Sequence, residues 1–137
     1  MSKIVFFCIP AYGHTNPTLG VVRELVARGH EVRYYSYEPM RPLIESAGAQ
    51  FVACDPYDCE QRLTPADGAR VGKDIACSTH ILVETTLALD EFVCADMRAF
   101  APDCIVADSM AVWGKAVAKK LGIPFVSSTT TFAFNRY

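Results

Sequence analysis

Long apolar runs are missing from this sequence: none approaches the ~20 residues that a helix needs to cross a bilayer. An excess of charge of one sign is missing too. Lys and Arg number 13 against 15 Asp and Glu, a formal net charge of −2, so nothing in the balance calls for a nucleic-acid partner or an anionic membrane surface. None of the six cysteines, Cys8, Cys54, Cys59, Cys77, Cys94 and Cys104, forms a CxxC pair, and no His stands at zinc-finger spacing from a Cys pair. That pattern gives no metal site to expect. The opening Met1–Ile9 resembles a short signal peptide, but its apolar stretch runs straight into Pro10, Gly13, His14 and Asn16 with no small-residue cleavage pattern. Reduced thiols and a cytoplasmic location are the expectation. Phosphate-binding glycine motifs are also lacking. Gly13 followed by Gly20 does not supply GxGxxG, and Gly114-Lys115 lacks both the preceding glycine and the following Ser or Thr of a P-loop. No tightly bound cofactor is expected.

What is present is a 137-residue chain of one-domain size, 51% hydrophobic and 20% charged, which excludes general disorder. Short β-rich apolar runs alternate with amphipathic helical stretches, the mark of an α/β fold with a mainly parallel sheet. Strands are expected at Ile4 to Ile9, Glu31 to Tyr35, Gln50 to Ala53, Cys104 to Ala107 and Phe125 to Ser128. After a loop over Pro10 to Thr15, Asn16 is expected to cap the first helix with Pro17 at its first position. Leu19, Val22, Leu25 and Val26 form that helix's inward stripe, and Gly29 ends it. Further helices are expected at Met40 to Ala47, Ser78 to Ala99 and Ala111 to Leu121, the last burying Val112, Ala116, Val117 and Leu121. Asp55 to Lys73 reads as a long loop. Right-handed crossovers make this a Rossmann-like doubly wound parallel sheet of order 3-2-1-4-5, with helices on both faces.

In such a sheet, ligands bind beyond the carboxyl ends of the strands where the strand order reverses. Here that point lies between the first and fourth strands, and its loops carry His14 and Asp108. An imidazole takes a proton near neutral pH, and a carboxylate on its other nitrogen fixes the tautomer. The same residues also admit plainer roles. His14 can be a solvated loop residue, and Asp108 or Ser109 can cap the helix that follows. His30 and His80 read as surface or core residues, and Trp113 and the run Tyr34 to Tyr37 as packing. Tyr12 and Tyr37 lie close enough to the crevice to line a pocket.

Two blocks carry a resemblance. Ile9-Pro10-Ala11-Tyr12-Gly13-His14-Thr15-Asn16-Pro17-Thr18-Leu19 and Arg23 to Val32 closely resemble the opening of bacterial UDP-glycosyltransferases of the macrolide glycosyltransferase type. Pro102 to Ser109 and Leu121-Gly122-Ile123-Pro124 are similar to the fourth strand and following helix of the same family. The resemblance implies a B-type glycosyltransferase fold of two Rossmann-like domains. The N-terminal one binds a small hydroxylated acceptor and the C-terminal one a UDP-sugar donor. It implies that His14 removes the acceptor proton, that Asp108 orients it, that inversion follows and that no metal is needed. Tyr12, Gly13, Asn16, Ser109, Thr130 and Phe132 are then the candidates for acceptor contact.

The resemblance further implies that residues 1–137 are a single, incomplete acceptor-binding domain, inactive until a donor domain completes it, in the same or a separate chain. Self-association through the region Phe132 to Tyr137 is expected on that reading. The rival reading is a non-enzymatic module that holds a small ligand or a partner in the same crevice. A flavodoxin-like or response-regulator domain is disfavoured, because no phosphate-cradling loop or acidic cluster follows the first strand.

Overall fold

Five apolar strand segments pair side by side in the order β3-β2-β1-β4-β5, all parallel. They are β1 Lys3–Phe7, β2 Glu31–Ser36, β3 Gln50–Ala53, β4 Cys104–Asp108 and β5 Phe125–Ser128. A computed structural model provides this description and covers residues 1–58 and 73–130. Helices α1 Tyr12–Ala27, α2 Arg41–Ser46, α3 Ile75–Phe100 and α4 Val112–Leu121 connect the strands, with a 3-10 turn at Glu38–Met40 before α2. The doubly wound sheet and its order are those expected from the sequence. No helix among the described residues is long and apolar enough to cross a membrane.

The unbroken apolar run of β1 serves two cores at once, as a strand covered on both faces must. Ile4, Phe6 and Cys8 join Leu19, Val22, Tyr34, Ile44 and Phe51 under α1 and α2. Val5 and Phe7 join Tyr35, Leu89, Val93, Met97, Ile105 and Trp113 under α3 and α4. The register pairs Phe6 with Tyr34 and Phe7 with Tyr35. The first pair stacks with 5.5 Å between ring centroids and the second meets at a tilt with 4.8 Å, one pair on each face, and cross-strand aromatic contacts of this kind stabilise a sheet beyond simple burial.

Helix ends include a glycine close and two starts that depart from the expected positions. Gly29, at φ +82°, lets α1 close with His30 N–H donating to the Leu25 carbonyl and Gly29 N–H to Val26. The first departure is the start of α3, which lies ahead of the expected Ser78. Asp74 caps it by accepting from the Cys77 N–H at 3.0 Å. The second is the start of α1. Asn16 is not its cap: the helix begins after Ala11, with no side-chain cap, and runs through Pro17. The buried stripe Thr15, Thr18, Leu19, Val22 extends one turn further back than the apolar residues alone show. Packing of that extra turn offsets the backbone hydrogen bond that Pro17 cannot make. Most of the stretch Asp55 to Lys73, and the segment Phe132 to Tyr137, lie outside the described residues.

Helix α4 buries Val117 and packs Leu121 against the core as expected, but its inward face is shifted away from Val112 and Ala116. Trp113, Gly114, Val117 and Ala118 are buried, whereas Ala116 is exposed and Val112 is 39% exposed. Burying the indole removes far more apolar surface from water than burying Val112 would. Gly114 makes this rotation possible. A Cβ there would stand 2.7 Å from Ala107 Cβ and 2.8 Å from Phe7 Cδ2, inside contact distance. Gly114→Ala is therefore expected to destabilise the fold by about 1–3 kcal/mol, the usual cost of overpacking, read as a lower denaturation midpoint at unchanged slope. A midpoint equal to the wild type would show that α4 is not held this close to the sheet.

Candidate functional site

β1 and β4 are neighbours, with Phe7 opposite Ala107 at their carboxyl ends. Side chains alternate along a strand. Ala107 joins the core under α3 and α4, so Asp108, one residue on, faces the α1 side. There it meets the first turn of α1. Ala11 turns the chain after β1, its N–H donating to the Ile9 carbonyl at 2.8 Å, and its own carbonyl accepts from the N–H groups of His14 and Thr15. His14 thus sits on a helix rather than in the expected loop, and its direction is set by the backbone.

His14 Nδ1 lies 2.9 Å from Asp108 Oδ1, with the Asp108 side chain fully buried and the His14 side chain 20% exposed. Asp108 Oδ2 accepts from the Met110 N–H at 3.0 Å. The Thr130 hydroxyl completes the group, 3.0 Å from His14 Nδ1 and 3.5 Å from Asp108 Oδ1. A buried carboxylate must have donors, and here Nδ1–H is one of them. That leaves Nε2 as the nitrogen able to take a proton.

A buried polar chain seats this turn on the sheet. Thr18 Oγ1 donates to the Thr15 carbonyl at 2.7 Å and meets Tyr34 Oη at 2.7 Å, while Thr15 Oγ1 lies 3.8 Å from Cys8 Sγ. Burial, and secondly the charge of Asp108, push the Cys8 thiol up to about 11. It stays a protonated thiol at neutral pH and does not compete as a nucleophile. Sequence reasoning missed this chain. Its one trace was the spacing Thr15, Thr18, Val22 on the helix's inner face.

No family model matches the chain. It is 35% identical to demethyllactenocin mycarosyltransferase of Streptomyces fradiae over 147 aligned residues, spanning 100% of this chain and 31% of the relative. It is 31% identical to the NDP-glycosyltransferase YjiC of Bacillus subtilis over 127 residues, spanning 93% of this chain and 31% of the relative. The homologues of this chain are glycosyltransferases of the macrolide and NDP-glycosyltransferase kinds. The chain matches the N-terminal part of those larger enzymes and spans about 31% of their length. Among solved structures, the glycotransferase of kitacinnamycin shares its fold, with a TM-score of 0.79 at 24% identity over 96% of this chain and 31% of that one.

The other expected site residues stand in different places. Tyr12 (61% exposed), Gly13 and Asn16 line the open side of the α1 start, and a Cβ on Gly13 would meet nothing within 4 Å. Ser109 is exposed and caps no helix. Its N–H donates to the Ser128 carbonyl at 2.9 Å and ties the ends of β4 and β5 together. Thr130 stands at the His–Asp pair itself, and Phe132 lies outside the described residues. Tyr37 does not line the crevice: it is buried, and its hydroxyl donates to Asp58 Oδ2 at 2.8 Å. His30 Nδ1 accepts from the Ser2 N–H at 3.1 Å, and His80 is exposed on α3. An apolar groove of about 420 Å³ between α3 and α4, lined by Val83, Leu87, Val112 and Ala116, is on the helix layer across the sheet from His14.

Proposed function

We propose that residues 1–137 form the acceptor-binding part of an inverting nucleotide-sugar glycosyltransferase acting on a small hydroxylated compound. The contact between His14 and the buried Asp108 carries this reading. His14 Nε2 takes the proton from the acceptor hydroxyl as its oxygen bonds to the anomeric carbon. The bond from that carbon to the phosphate oxygen breaks, and its electron pair leaves with the nucleoside diphosphate, UDP on the resemblance of the opening block. Asp108 holds Nδ1–H and balances the imidazolium that forms. Tyr12, Gly13 and Asn16 offer the exposed surface beside His14 on which an acceptor would lie.

Donor binding is assigned to the part of the relatives that this chain does not match. Holding donor and acceptor together supplies several kcal/mol, up to roughly 7–11 in favourable cases, so the 137 residues by themselves are proposed not to turn over. The test is incubation of the purified chain with UDP-glucose and phenolic acceptors, with and without an added donor-binding part from a relative. Product is expected only in the second mixture. Turnover by the 137 residues alone would overturn the dependence on a donor half. Tight acceptor binding in calorimetry, with no turnover in either mixture, would favour a non-enzymatic binding module instead.

A further inference from the structure

We propose that Thr130 is a positioning residue for the His14–Asp108 pair, setting where the Nδ1 proton sits rather than contacting the acceptor. This rests on reading His14 as the base. Strand pairing brings the chain to the site just before Thr130. Asp108 is in register with Ser128, and Ser109 N–H donates to the Ser128 carbonyl. Two residues beyond Ser128 the chain bends, and this brings Thr130 to the side of the sheet that Asp108 faces. Thr130 arrives there with Oγ1 at 3.0 Å from His14 Nδ1 and 3.5 Å from Asp108 Oδ1.

The donors and acceptors can be counted. An ionised carboxylate only accepts, and a hydroxyl has one proton to give and two lone pairs. Asp108 Oδ2 already accepts from Met110 N–H. Nδ1–H of a neutral His14 points at Asp108 Oδ1, with Thr130 Oγ1 at nearly the same distance as a second acceptor. The Thr130 proton is free to go to Asp108 Oδ1. The hydroxyl therefore does two things at once. It shares the Nδ1 proton, and it draws charge from the oxygen that holds that proton. Both weaken the pull of Asp108 on Nδ1–H, and the three-way contact fixes the imidazole plane that aims Nε2.

Thr130→Val removes the hydroxyl at nearly constant shape. In the 137-residue chain, the His14 Nδ1–H proton resonance, assigned by its loss in His14→Gln, is expected to move downfield in Thr130→Val and to return in Thr130→Ser. With the donor part added, loss of the contact that aims Nε2 and accepts from the imidazolium outweighs the stronger pull of Asp108. Thr130→Val is therefore expected to lower kcat about tenfold or more while KM stays within about twofold, the scale of one lost hydrogen bond to a charged group. Thr130→Ser should restore most of the rate. A raised KM with unchanged kcat and an unmoved resonance would make Thr130 an acceptor contact and overturn the proposal. So would a resonance and a rate both unaffected by the valine. Should Thr130→Val not fold, Thr130→Ala gives the same two readouts. If the resonance moves as stated while His14→Ala leaves turnover intact, the reading of His14 as the base fails and the placement of the hydroxyl stands.

Discussion

His14→Ala is expected to lower kcat for transfer by about 10²- to 10⁴-fold in the chain completed with a donor part, the range that a positioned general base contributes. Binding of the acceptor should change little, because the aromatic and backbone surface of Tyr12 and Gly13 is untouched. The size of the loss should depend on the acceptor. An aliphatic hydroxyl holds its proton tightly and needs a base as its oxygen attacks. An acidic phenol carries more negative charge on oxygen to begin with, so it loses less when the imidazole is removed. Progress curves with a matched alcohol and phenol would measure this. Equal, small losses for both would mean that proton removal by His14 is not part of the rate-determining chemistry.

Asp108→Asn is expected to be nearly as severe, on the order of 10³- to 10⁴-fold in kcat, because it changes which nitrogen carries the proton. The asparagine side chain can present its NH₂ group to Nδ1 where the carboxylate presented only an acceptor. His14 would then keep its proton on Nε2, the nitrogen that has to receive one. It would also lack a negative charge to balance the imidazolium. Asp108 is fully buried and accepts from Met110 N–H, so some loss of stability accompanies the change, about 1–3 kcal/mol if that hydrogen bond is weakened. A thermal melt alongside the assay separates the two effects. A folded Asp108→Asn protein with near-wild-type kcat would show that the contact with His14 is structural only.

Much of this was legible in the sequence, for reasons that differ from residue to residue. The alternation of apolar runs and helical stripes gave the five strands and their order, since right-handed crossovers leave few arrangements. Gly29, Gly48 and Gly122 all adopt positive φ at helix ends, where backbone sterics favour glycine, although Ala101 takes the same region at the end of α3. The order placed the ends of β1 and β4 together, and with them His14 and Asp108, because a switch point is a property of topology. Local propensity failed where packing outweighed it. Asn16-Pro17 is a good helix start in isolation, yet the buried contacts of Thr15 and Thr18 with Cys8 and Tyr34 carry α1 back to Tyr12.

The sequence by itself determined the parallel sheet, its strand order and the meeting of His14 with Asp108. Each of these follows from periodicity, chain connectivity and backbone sterics. Only the tertiary structure decided that His14 rides on a helical turn, that Val112 turns outward and that Tyr37 is withdrawn from the crevice to Asp58. It alone also placed Thr130, expected as an acceptor contact, against the His14–Asp108 pair. Side-chain burial depends on every neighbour at once, and the approach of Thr130 depends on the register of β5 against β4 and on the bend that follows the strand. Neither quantity is local, so neither can be read from the residues one segment at a time.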